Sequence, residues 1–91
     1  MIGFNRHRAS RGVIFARSAG KHGFTEEDVS YASEHPVRIE YESQSDGTLL
    51  VKLVGLHRDP LVPYIEVLMR QSQRHGLVIF HVSALTDNFW D

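Results

Sequence analysis

The sequence predicts an α+β domain in which two N-terminal helices pack on a four-stranded antiparallel sheet. Helix signals are confined to residues 6–35, while the chain from Val37 onward alternates or runs apolar in strand-length stretches. The connections between those stretches are short, which favours antiparallel neighbours. Ninety-one residues hold one core, so 1–91 is read as a single domain. A domain this small is marginal, and an oligomer or a partner helps to stabilise it.

The first predicted helix runs from Arg6 to Lys21. Ala9, Val13 and Ala16, with Ile14 and Phe15, give an apolar stripe near helical spacing, and Asn5 suits the N-cap. Gly12 inside the run costs about 1 kcal/mol relative to alanine. Gly20 and Gly23 bracket its end, where Lys21 and His22 suit the negative end of the dipole. The second predicted helix has the sharper signature. Thr25 and Asp28 have capping-box spacing, Phe24 and Val29 have hydrophobic-staple spacing, and Glu26, Glu27 and Asp28 fill the first turn. Pro36 closes it at His35.

Val37, Ile39 and Tyr41 then alternate with Arg38, Glu40 and Glu42, predicting a strand with one buried and one wet face. Ser43–Gly47 is a turn ending in Asp-Gly. Thr48–Gly55 is a nearly unbroken apolar run around Lys52, which predicts a central strand. Leu56–Pro63 holds two prolines and reads as a loop. Tyr64–Arg70 sets Ile65, Val67 and Met69 on one side, and Gln71–Gly76 is a polar turn. In Leu77–Val82 five of six residues are apolar, which predicts a strand buried on both faces with His81 set in it. Phe89 and Trp90 in the tail read as a lid over the core or as an exposed contact.

Net charge is −1, with 42% apolar and 23% charged residues, the composition of an ordinary globular protein. The absence of cysteine excludes disulfide frameworks, thiolate metal sites and a cysteine nucleophile. No apolar run approaches the roughly 20 residues that span a bilayer. The basic N-terminus is not followed by an apolar signal core. The expected setting is therefore cytoplasmic, with no membrane partner. Charge is uneven along the chain. Residues 1–24 carry Arg6, Arg8, Arg11, Arg17 and Lys21 and no acid, whereas residues 25–47 carry seven acids against Arg38. Such asymmetry marks either a polyanion-binding face or two segments that pair with each other.

Glycine-rich phosphate loops and a nucleophile elbow are absent, and the six histidines lack metal-ligand spacing, so no metal and no cofactor are expected. What remains is Lys21-His22, Lys52, His57-Arg58 and His81. Metal-free RNA cleavage needs such groups: one to activate the 2′-hydroxyl, one to stabilise the phosphorane, one to protonate the leaving oxygen. Histidine titrates near neutrality, and arginine and lysine suit phosphate. Structural uses compete with this at each position. Lys21 and His22 can cap a helix, His81 can be a satisfied core residue, and Arg58 can pair with Asp59 at the surface.

Lys21-His22-Gly23-Phe24-Thr25-Glu26-Glu27-Asp28 resembles the KHG(V/I)(T/S)xE(D/E) segment of the BrnT-like toxins of bacterial toxin–antitoxin modules. Asp46-Gly47-Thr48-Leu49-Leu50, Gly55, Ile65-Glu66-Val67 and Val78-Ile79-Phe80-His81-Val82 follow in the family's order. The run from Ile79 to Phe89 is similar to the IHAxPxxxxF ending of actinobacterial-style members, and the likeness spans residues 6–89. It implies a RelE-like fold and a metal-independent endoribonuclease that inhibits translation, acts on RNA or the ribosome, and is neutralised by a cognate antitoxin. By position, Lys21 and His22 match the KH pair and His81 the late histidine. The family carries an arginine just after the last strand where this chain has Ser83-Ala84-Leu85. The cations left for RNA are then Arg58 beside Lys21 at the phosphate, with Lys52, Arg6, Arg8 and Arg11 along the substrate. The alternative is a non-catalytic interaction module on the same fold, working as a homodimer or with a partner protein. Convergence of Lys21, His22, Arg58 and His81 on one anion-sized spot favours the nuclease.

Overall fold

The computed structural model of the chain describes residues 13–86. In chain order they form strand β1 (Val13–Phe15), a 3-10 turn (Arg17–Gly20), helix α1 (Glu26–Glu34), and strands β2 (Pro36–Ser43), β3 (Leu49–Leu56), β4 (Tyr64–Ser72) and β5 (Gly76–Ala84). The strands make one sheet in the order β1-β5-β4-β3-β2. β2 to β5 are an antiparallel meander, and β1 lies parallel to β5 with Val13 opposite Leu77 and Phe15 opposite Ile79.

This corrects the expected architecture. The described residues hold one α-helix rather than two, and the sheet has five strands of mixed direction rather than four antiparallel ones. The RelE-like arrangement of two helices on such a sheet is not the one found. The reason lies in Val13-Ile14-Phe15, whose β-branched and aromatic side chains fit a pleated surface when an unpaired strand edge is on offer. β5 supplies that edge. Ala16 N donates to Ile79 O at 2.9 Å and Ser18 Oγ to Phe80 O at 2.6 Å, and the chain then makes only one 3-10 turn, which buries Ala19 completely. Lys21 and His22 therefore cap no α-helix; Lys21 N–H closes the 3-10 turn on Ser18 O at 3.3 Å. Residues 6–12 of the expected helix lie outside the described residues, as do Arg6, Arg8, Arg11, Phe89 and Trp90.

α1 follows its sequence signals. Thr25 Oγ1 accepts from Asp28 N at 3.2 Å, and Asp28 Oδ2 accepts from Thr25 N at 2.9 Å, completing the capping box. The helix lays Val29 and Ala32 on the sheet, where both are fully buried. Contact is so close at β3 that a Cβ on Gly55 would stand 2.3 Å from the Ala32 carbonyl oxygen. Val51 and Leu53 of β3, Ile65, Val67 and Met69 of β4, and Ile79 and Val82 of β5 complete the core on this face.

β2 departs from its pattern. Alternation predicts a buried apolar face, yet Val37, Ile39 and Tyr41 are 56%, 42% and 66% exposed. α1 packs over β3 and β4, and β2 is the edge strand beyond its reach. The turn into β3 is built as its sequence suggests, with Gly47 at φ 87° and Asp46 Oδ1 accepting from Thr48 Oγ1 at 2.6 Å and Thr48 N at 3.0 Å. The Thr48 hydroxyl, then its amide, hold the Asp46 carboxyl below its ordinary range. No helix among the described residues is long and apolar enough to cross a membrane.

Candidate functional site

A β-bulge aims His81. Leu68 pairs with His81 but Met69 pairs with Ile79, so Phe80 is an extra residue in β5. Strict alternation would put Ile79 and His81 on the same face. The bulge sends Ile79 into the core under α1 and turns His81 to the opposite face, beside Glu66 and Ser83.

Glu66 is 5% exposed. Its Oε1 meets His81 Nε2 at 3.2 Å and accepts from Ser83 Oγ at 3.1 Å. Its Oε2 accepts from Thr86 N at 3.0 Å and Thr86 Oγ1 at 3.1 Å. Both oxygens of the buried carboxylate are thereby met, and no buried side-chain polar atom among the described residues lacks a partner. A nitrogen lone pair facing a carboxylate would be repelled, so Nε2 carries the imidazole proton and donates to Glu66. No described residue bonds Nδ1, which is left as the basic nitrogen of a half-exposed ring.

Ser83 Oγ lies 3.1 Å from the same Nε2. A serine–histidine–carboxylate relay needs the carboxylate on one ring nitrogen and the hydroxyl on the other. Here both sit on Nε2, so Ser83 is a positioning partner of Glu66 and not an activated nucleophile.

His22 completes the cluster. Its exposed ring stands edge-on to His81 with centroids 5.8 Å apart, held there because the 3-10 turn is tied to Phe80. Lys21 is adjacent and exposed. Of the residues singled out by sequence, His22 and His81 are thus brought together, with Lys21 next to His22 in the chain. Neither family models nor curated proteins nor solved structures match this chain. The likeness to BrnT-like toxins therefore rests on the motifs alone.

Arg58 is placed elsewhere, its guanidinium 5.1 Å above the Tyr31 ring on α1. Its neighbour His57 is a structural bridge, with Nδ1 2.9 Å from Val62 O and Nε2 3.2 Å from Asp28 Oδ1, joining the β3–β4 loop to the helix cap. Lys52 shares the His81 face, in one row with Leu68 and His81, two strands and about 10 Å away. No group of three or more possible metal ligands occurs among the described residues.

Sequence reasoning passes over three members of the site. Glu66 reads as the wet side of a strand, and Ser83 and Thr86 read as tail. Arg70 is passed over as well. Two residues along β4 from Leu68, it shares the His81 face and stacks over the Phe80 ring at 4.7 Å. It also lines a cleft of about 730 Å³ with Asp46, Thr48, Ser72, Arg74 and His75. The usable signal is the alternation of β4, which sets Glu66, Leu68 and Arg70 on one face opposite Ile65, Val67 and Met69.

Proposed function

We propose that the chain is a BrnT-like toxin: a metal-independent endoribonuclease that works through His81 and His22, inhibits translation and is held in check by a cognate antitoxin in the cytoplasm. The observation that carries the reading is the pair of imidazoles 5.8 Å apart, one of them oriented by a buried carboxylate. A phosphodiester flanked by two imidazoles can pass a proton in at one side and out at the other. One ring takes the 2′-hydroxyl proton as O2′ bonds to phosphorus. The other gives a proton to the departing 5′-oxygen, leaving a 2′,3′-cyclic phosphate and a 5′-hydroxyl. With Nε2–H committed to Glu66, His81 exchanges protons at Nδ1. Lys21, next to His22 in the chain, and Arg70, on the His81 face, take the phosphate role that the sequence gives to Arg58. Lys52 lies further along the same face and suits the flanking backbone.

The test is cleavage of a mixed single-stranded RNA in the presence of a chelator, alongside a cell-free translation assay. Cleavage is expected to persist with chelator and to fall about 100-fold or more in His81→Ala and in His22→Ala, the usual range for loss of a proton-transfer group. Intact RNA and unimpaired translation with the parent protein would overturn the reading. The second reading, a non-catalytic interaction module, is favoured by the exposed apolar side chains of β2.

A further inference from the structure

We propose that the chain forms a symmetric dimer in which β2 pairs antiparallel with β2 of a second copy, with Ile39 opposite the partner's Ile39. This stands apart from the ribonuclease reading, since no member of the imidazole cluster lies on β2, and it gives the interaction-module reading its partner.

β2 is the outermost strand of the sheet beside β3. Which of its main-chain groups face outward follows from one bond. Gln44 N donates to Thr48 O at 2.9 Å, and these two continue the β2–β3 register, in which Glu42 opposes Leu50 and Glu40 opposes Lys52. Hydrogen-bonded pairs alternate along an antiparallel ladder. Glu42, Glu40 and Arg38 therefore turn their N–H and C=O toward β3, and Ile39 and Tyr41 turn theirs to the open edge. Edges are ordinarily blunted by short strands, prolines or inward charges. Here Pro36 and the bulge at Val37 interrupt only the beginning of the strand. The exposed side chains of Ile39 and Tyr41 sit on the α1 side, opposite Leu53 and Val51. Ile39 and Tyr41 there wall a groove of about 210 Å³, whose floor includes Val51, Leu53 and Met69.

A second β2 is the occupant that this edge selects, and charge selects the register. Ser43, the last residue of β2, also turns outward, but setting it against the partner's Tyr41 drives Glu42 directly against the partner's Glu42, which leaves the pairings of Ile39 and Tyr41 with each other or with themselves. Setting Tyr41 against the partner's Tyr41 places Glu40 against the partner's Glu42 twice. Setting Ile39 against the partner's Tyr41 pairs Arg38 with the partner's Glu42 but drives Glu40 directly against the partner's Glu40. Setting Ile39 against the partner's Ile39 places Arg38 against the partner's Glu40 twice, at the closely spaced, non-hydrogen-bonded positions, with no acid facing an acid across the central pairs. Arg38 and Glu40 already form an ion pair within β2, so the dimer gathers two cations and two anions into one alternating cluster. On the other face the Ile39 and Tyr41 side chains of the two copies, four in all, close over the seam between the two helices. The product is one sheet continuous across both copies.

Sedimentation equilibrium of the full chain tests this, with a circular-dichroism melt as a check on folding. The parent is expected to dimerise in the micromolar range or below, and Arg38→Glu to weaken the dimer about tenfold or more through like-charge contacts. Reversing both charges, R38E with E40R, is expected to restore the parent affinity. Weakening by the single change and recovery by the double change occur together in this register alone. With Tyr41 against the partner's Tyr41, position 38 faces the partner's Gln44, so the single reversal leaves the pairing intact. With Ile39 against the partner's Tyr41, position 38 faces the partner's Glu42, and the double reversal repels as the single one does. The chain has no cysteine, so Ile39→Cys is expected to cross-link to itself on mild oxidation, its Cα atoms being about 5.5 Å apart. A monomeric parent, a dimer indifferent to both Arg38→Glu and Ile39→Lys, or a double reversal no better than the single change would each overturn the proposal.

Discussion

Glu66 is a carboxylate on a strand, flanked on its face by Val54, itself 4% exposed. A charge there is tolerated only because donors meet both oxygens. His81, Ser83 and Thr86 supply them, and Thr86 does so with both its amide and its hydroxyl. The carboxylate therefore has two jobs that share one geometry: it orients the His81 ring and it anchors the exit of β5. Glu66→Ala would leave the Thr86 amide and several side-chain donors unmatched. We expect it to cost about 1–3 kcal/mol by denaturant titration, and Glu66→Gln, which keeps one oxygen, to cost less. Equal losses in the two variants would mean that neither side-chain volume nor the one retained oxygen helps, and that only the intact carboxylate matters. Nothing in Ile65-Glu66-Val67 separates this residue from an ordinary solvated glutamate, because its donors come from a bulged strand and from the residues that follow it.

Elements were legible where local chemistry decided them and opaque where a distant edge did. α1 was written in Thr25, Asp28 and Pro36, whose effects lie within one helical turn. Residues 13–15 carried an apolar spacing that suits a helix equally well as a strand, and the decision fell to β5, whose sequence is more than sixty positions away. His81's face was hidden for the same kind of reason, since a bulge at Phe80 reverses the alternation that a strand pattern assumes. Gly55 shows the opposite case, a small residue inside an apolar run whose reason appears only in the packing. Its φ is not in the left-handed region; what forbids a side chain is the Ala32 backbone. Gly55→Ala must push α1 away from β3. We expect about 1–3 kcal/mol or more of destabilisation by thermal or chemical unfolding. A Gly55→Ala protein as stable as the parent would show that the helix can shift at no cost.

The molecule as a whole joins a locally connected meander to a remote strand. β2, β3, β4 and β5 pair in sequence order through short turns, so their loop-closure costs are small. β1 must instead find β5 across most of the chain, as the Ser18–Phe80 bond does over 62 positions. It is repaid by three residue pairs at a sheet edge. Contacts that are few, peripheral and distant in sequence open first. We therefore expect native-state hydrogen exchange to show the Ala16 amide, bonded to Ile79 O, opening at a clearly lower free energy than the Leu53 and Val67 amides in the middle of the meander. Uniform protection across β1 and β3 would contradict this and make the sheet one cooperative unit. The consequence reaches the site, because His22 is carried by the segment that follows β1 while His81 belongs to the meander. Opening at this edge separates the two imidazoles without unfolding either Glu66 or His81, so their encounter is set by the weakest strand pairing in the described sheet.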